Sequence, residues 1–145
     1  MNNNNSINFS DKAKDAFSFL ERKGYSCNSI SIHKVRYESD KVYIQVSREK
    51  WDCEVSISFG RKDQKEDFSF TLFLRLVNPE LEKRMGERIA HNPEQVDQSL
   101  RQLSSALQSE GEAIIDGDDS TFEKMKSVRW WDFDPDAVKK KPPSQ

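Results

Sequence analysis

The sequence has little of what most site chemistries need. Two cysteines, Cys27 and Cys53, and two histidines, His33 and His91, stand among 145 residues. Two thiols cannot build a disulfide framework. A zinc site wants Cys and His at ligand spacing, such as two cysteines two apart followed by a histidine pair, and no such cluster is present. Five glycines, well spread, leave no phosphate-cradling loop. There is no Gly-x-Ser-x-Gly turn, and spacing supports no Cys–His pairing for nucleophilic catalysis. No apolar run approaches the ~20 residues of a membrane span, and no apolar leader opens the chain. Positive charge is not in excess either: 23 Lys and Arg face 25 Asp and Glu, for a net charge of −2. Bulk nucleic-acid binding needs the opposite balance to displace counterions.

These absences predict a reduced, cytoplasmic, non-catalytic protein with no cofactor and no metal. Carboxylates that meet only on folding are the remaining enzymatic route, and none of the 25 acidic residues is singled out for it. A chain of 145 residues is one domain by the usual prior and long enough to bury a core without covalent staples.

What the chain does have is pattern. Val42, Ile44 and Val46 alternate with Lys41, Tyr43, Gln45 and Ser47, and Cys53, Val55, Ile57 and Phe59 alternate with Glu54, Ser56 and Ser58. Period-two alternation puts one set on a core and the other in water, so residues 42–59 predict two strands of an antiparallel sheet. Further on, Val96, Leu100, Leu103 and Leu107 recur at helical spacing and form a stripe able to cover that sheet. The switch of period predicts an α+β fold: an N-terminal helix, a three- to four-stranded antiparallel meander, and C-terminal helices packed on one sheet face.

Residues 1–9, with four consecutive asparagines, predict a disordered arm ahead of a domain spanning residues 10–131. Ser10 is the expected cap of a helix carrying Ala13, Ala16, Phe17 and Leu20, stopped by Gly24. Residues 25–37 read as one strand whose apolar phase flips near His33 and Lys34, which points to a bulge. Glu38–Asp40, Arg48–Asp52 and Arg61–Lys65 are the expected turns. Residues 66–77 fit either period; a strand end through Phe70 followed by a short helix capped by Thr71 is the preferred of the two. Asn78-Pro79 and Asn92-Pro93 each place a cap before a proline at the first helical position. The second opens a long helix over about residues 93–115, ended by Gly117. A last helix from Ser120 turns Phe122, Met125 and Val128 inward. Trp130 and Trp131 close the domain, and residues 132–145, with Lys139–Lys141, predict a flexible tail.

Two surface features are candidates for binding. Six acids, Glu110, Glu112, Asp116, Asp118, Asp119 and Glu123, follow one another with no Lys or Arg among them, while basic residues such as Lys83, Arg84 and Arg88 cluster elsewhere. Such a sector is usually a solvated face. It also suits docking of a basic protein, with charge speeding the encounter. Calcium is a poorer fit, because Asp116–Asp119 lacks the Asp-x-Asp-x-Asp-Gly loop with its distal Glu. The second feature is aromatic: Tyr43 on the polar face of its strand and Trp51 in the next turn. With Lys41, Arg48 and Lys50 nearby they pass a first test for base stacking. Glu49, Asp52 and Glu54 dilute that charge, so packing or protein contact is the better reading. The expected partner-binding set is therefore Glu110, Glu112, Asp116, Asp118, Asp119, Tyr43 and Trp51, with a basic protein as partner and a homodimer left open.

The segment Tyr37-Glu38-Ser39-Asp40-Lys41-Val42, continued by Tyr43-Ile44-Gln45-Val46, resembles a hairpin of small uncharacterised bacterial α+β proteins, some of them similar to immunity proteins of toxin systems. Leu74–Glu80, and Gly117-Asp118 followed by Phe122, resemble the same group. The resemblance runs over roughly residues 10–130, in the same order, and carries no diagnostic signature. It implies an N-terminal helix, an antiparallel meander and C-terminal helices. It also implies a protein that binds and blocks a cognate toxin domain, with no catalytic residues to carry over. A chaperone-like adaptor is the alternative on the same charge layout.

Overall fold

The computed structural model describes residues 8–128. Residues 1–7 of the expected arm, Trp130-Trp131 and the lysine tail lie outside the described residues. Phe9, assigned to the arm by sequence, is instead a buried residue of the first helix, α1 (Phe9–Ala16). Its aromatic ring extends the stripe of Ala13 and Phe17 by one turn, which the polar neighbours Asn8 and Ser10 concealed. Asn8 precedes the helix in a left-handed conformation, and no side chain caps it. Ser10 lies inside the helix, its hydroxyl against that of Ser29 at 3.3 Å. The chain restarts as α2 (Phe19–Arg22) and turns at Gly24, whose φ of 95° suits glycine.

Five strands follow in antiparallel order β1-β2-β3-β4-β5. They are β1 (Ser26–Ser31), β2 (Lys34–Glu38), β3 (Val42–Arg48), β4 (Val55–Arg61) and β5 (Phe68–Ser69). The single strand expected over 25–37 is a hairpin: the chain reverses at Ile32-His33, and a register irregularity sits between Ser29 and Ser31. A reversal and a bulge both flip the apolar phase, and this turn has no Gly, Asn or Pro to distinguish them. Cys53, expected in β4, lies before it with a φ of 60°. One rung crosses the whole sheet on its inner face: Cys27, Tyr37, Ile44, Phe59 and Phe68. The opposite face is polar, with Arg36, Gln45 and Ser58 in register.

The helices cover the inner face, so the α+β class expected from sequence is the one observed. Residues 66–77 divide into β5 and α3 (Phe70–Val77), capped by Ser69 rather than Thr71. The Ser69 hydroxyl accepts from the Leu72 N–H, and the Thr71 hydroxyl accepts from Arg88 Nη2 at 2.9 Å instead. Asn78 then caps α4 (Pro79–Met85), and Asn92 caps α5 (Pro93–Glu110). The long helix stops five residues sooner than expected. A Cβ on Gly111 would lie 2.5 Å from Leu107 Cδ1, and the chain turns there into the short α6 (Glu112–Ile115). The last helix, α7 (Asp119–Ser127), is capped by Asp118. Val96, Leu100, Leu103 and Leu107 are all buried, and Phe59 is ringed by Phe68, Phe73 and Phe122 at centroid distances of 5.7, 6.1 and 5.7 Å. Aromatic pairs at this spacing stabilise a core beyond the area they bury.

Candidate functional site

In an antiparallel meander, alternate connections fall at the same end of the sheet. The β1–β2 turn and the β3–β4 loop therefore lie side by side, joined where the Arg48 N–H donates to the His33 carbonyl at 3.0 Å. The loop closes on itself. Glu49 donates to the Glu54 carbonyl at 2.9 Å, Cys53 donates to the Glu49 carbonyl at 3.0 Å, and Asp52 Oδ1 accepts from the Glu54 N–H at 3.1 Å. The left-handed Cys53 completes the reversal. From the far side, residues 88–90 pair with the same segment, Val55 donating to Arg88 and Ala90 to Cys53. This bonded loop holds Trp51 outward, 96% exposed. On the neighbouring hairpin Ile32 is 66% and Ile30 54% exposed, Ile30 standing at the register irregularity without a cross-strand partner.

Three large exposed apolar side chains thus lie at one end of the sheet. A folded chain has no internal reason to expose an indole this fully, and tryptophan is the residue most enriched at binding hot spots. The polar groups beside them carry both signs, with Lys50 exposed between Glu49 and Asp52. Arg48 is buried and donates through Nε to the Ala90 carbonyl at 2.9 Å. His33 Nδ1 is enclosed without a hydrogen-bond partner. Desolvation, then Arg48 and Lys50, hold the His33 imidazole below its ordinary pKa. The arrangement offers apolar contact beside exposed charges of both signs. Among the described residues no cluster of three or more His, Cys, Asp or Glu is placed to hold a metal, and Cys27 and Cys53 are free thiols.

The acidic sector lies at the other end. Arg61 closes β4 in register with Val42, and it reaches Asp119 Oδ1 and the Gly117 carbonyl through Nη2. Folding breaks the single-signed run. Asp118 is the cap of α7 and accepts from the Ser120 hydroxyl and from the Thr121 N–H and hydroxyl. Those bonds hold its carboxyl below the usual range. Asp119 pairs with Arg61, Glu123 with Lys126, and Glu110 accepts from Asn78 Nδ2 at 3.1 Å. Lys41 and Lys62 stand at the same end, the Lys62 N–H bonded to the Lys41 carbonyl. Glu112 and Asp116 are the exposed carboxylates of the sector that no such bond engages.

Tyr43 is on the polar face, as the alternation predicts, but it is not an exposed contact residue. Its ring lies over Gly60, Arg36 packs on it at 4.0 Å from the centroid, and its hydroxyl donates to Asp67. Burial, then the Asp67 bond, raise its pKa well above the ordinary tyrosine value. The alternation pattern assigns a side to a residue, and cannot show that a neighbour covers it.

The seven expected contact residues therefore do not form one surface. Trp51 is at the hairpin-tip end, the five acids are at or towards the other, and Tyr43 is covered. β3 alone is seven residues long, about 20 Å at the strand rise. Sequence reading missed Ile30 and Ile32 because it placed them in one strand with Val35 and Tyr37. Their opposite phase was the available signal. No helix among the described residues is long and apolar enough to cross a membrane. No protein-family model matches the chain, and no curated protein or solved structure matches it.

Proposed function

We propose that this is a non-catalytic protein-binding domain of immunity type, which binds a toxin domain and blocks it by occlusion. The observation that carries the binding function is the hairpin-tip end, where a bonded loop holds Trp51 outward and the adjacent β1–β2 hairpin exposes Ile30 and Ile32. The toxin as partner rests on the resemblance of the Tyr37–Val46 hairpin and the segments that follow it. In this reading the tip end supplies the adhesive contact. Glu112 and Asp116, at the other end, bias the approach of a basic partner through long-range charge.

The test is paired capture from the native cell, with the wild-type chain and Ile32→Ser/Trp51→Ala as baits. The expected partner is held by the wild type and released by the variant. It is toxic when expressed alone and is neutralised by co-expression of this protein. Binding kinetics then separate the two ends. Trp51→Ala raises the dissociation rate, and Glu112→Lys/Asp116→Lys slows association and flattens its salt dependence. A partner retained equally by the double variant removes the tip end from the interface. A partner without toxicity removes the immunity reading and leaves the adaptor.

A further inference from the structure

We propose that the groove between α4 and α5 is a second docking site, one that takes an amphipathic partner segment carrying carboxylates beside apolar side chains. The groove has a volume of about 490 Å³ and an apolar floor of Leu81, Met85 and Ala106. Arg84 reaches it from α4 and Arg101 from α5, and no Asp or Glu lines it. Both arginines are exposed, and neither makes an ion pair or hydrogen bond with any described residue. Other charged groups around the two helices are engaged. Arg75 pairs with Glu82, Arg88 is buried on the Gly86 carbonyl and the Thr71 hydroxyl, and Asp97 holds Lys12.

Arg101 also borders Asp11, Asp15 and Asp97 on its other side but bonds to none of them, so two guanidinium groups at one apolar trough leave their charge unmet by any intramolecular bond. Arginine presents a planar fork of donors that engages carboxylates bidentately, so the unmet charge is specific for that group. The seat is limited in length. α4 has seven residues, about 10 Å of helix, enough to cradle roughly two turns of a partner helix. Apolar anchors one turn apart would meet Leu81 and Met85, with flanking Asp or Glu on the arginines, the helix-in-groove mode. The site lies in the helical layer and uses none of the hairpin-tip residues, so it stands or falls apart from the proposed toxin contact.

The experiment is selection of displayed random 12-residue peptides on the full chain, followed by fluorescence anisotropy with synthesised winners. The expected winners combine apolar residues with Asp or Glu at helical spacing. Their affinity falls roughly tenfold or more on Arg84→Glu/Arg101→Glu, as loss of charge-assisted bonds implies, while circular dichroism is unchanged. Replacing the peptide carboxylates by Lys restores part of the binding to that variant. Failure to select acidic apolar peptides, or winners indifferent to the double variant, overturns the proposal. So does a chain ended at Val128 that binds the winners about tenfold more tightly, a gain of about 1.4 kcal/mol, because residues 129–145 would then be the groove's occupant in place of a partner.

Discussion

Gly60 shows how one small residue decides what a neighbouring aromatic can do. A Cβ there would lie 2.6 Å from the Glu66 carbonyl oxygen and 2.8 Å from Tyr43 Cε2. Gly60→Ala is expected to push Tyr43 off the sheet and destabilise the fold by about 1–3 kcal/mol, the usual range for overpacking. Urea denaturation measures this. A neutral result would mean that the ring moves freely, and would return Tyr43 to the contact candidates. Asp118 makes the same point electrostatically. Its folded pKa is depressed by the Ser120 and Thr121 bonds. Its contribution is therefore present above the unfolded carboxylate value of about 4 and is lost as pH falls through the lower folded value. Asp118→Asn keeps a capping oxygen but no charge. Between pH 6 and pH 3 the variant is expected to lose less melting temperature than the wild type. Equal losses would show that the carboxylate charge is not coupled to folding.

At the scale of elements, the apolar stripe of α5 is the strongest joint between the layers. Leu103 is buried against the sheet with Leu100 and Leu107. Leu103→Ala is expected to cost about 2–5 kcal/mol, the range for large-to-small changes in a core, as read by chemical denaturation. A loss below about 0.5 kcal/mol, the surface range, would contradict the packing. The helix junctions are tied together by caps with two tasks. Asn78 accepts from the Leu81 N–H to start α4 and donates to Glu110 at the end of α5. That couples the α3–α4 corner to the helix beside the arginine-lined groove.

Across the whole molecule, all three tyrosines are bound into the fold. Tyr25 donates to the Ile115 carbonyl at 2.7 Å, and burial is the main cause that pushes it up to about 12. Tyr37 and Tyr43 are raised as well, each chiefly by burial. A folded pKa above the unfolded value of about 10 means that stability is complete below pH 10 and is lost as pH rises towards the folded values. Tyrosinate absorbance at high pH is therefore expected to rise together with the loss of near-ultraviolet circular dichroism. Tyrosines that titrate near 10 in a chain still folded would contradict their burial. The same scale separates the two ends of the sheet. Glu112 and Asp116 are the positions for charge reversal, because reversing Asp118 or Asp119 would also remove the α7 cap or the Arg61 pair.

The α+β class, the two central strands, the α5 stripe and both Asn-Pro helix starts were legible in the residues. Periodicity and capping are local, and each is written within a few neighbouring positions. The hairpin at Ile32-His33 was not legible, because a reversal and a bulge invert an apolar phase alike. Nor was the fate of the acidic run. Its charges are consecutive in sequence, but Arg61 arrives beside them only when β3 and β4 pair. Tyr43 was placed on the correct face and with the wrong exposure, since its cover comes from Gly60, Arg36 and Asp67. Trp51 was found in its turn, while Ile30 and Ile32 became its neighbours only through the meander. Residue type and spacing settled which side chains of the central strands and of the α5 stripe face inward. Which surface groups meet, cancel or remain exposed depends on contacts between distant segments, and the tertiary structure alone decided it.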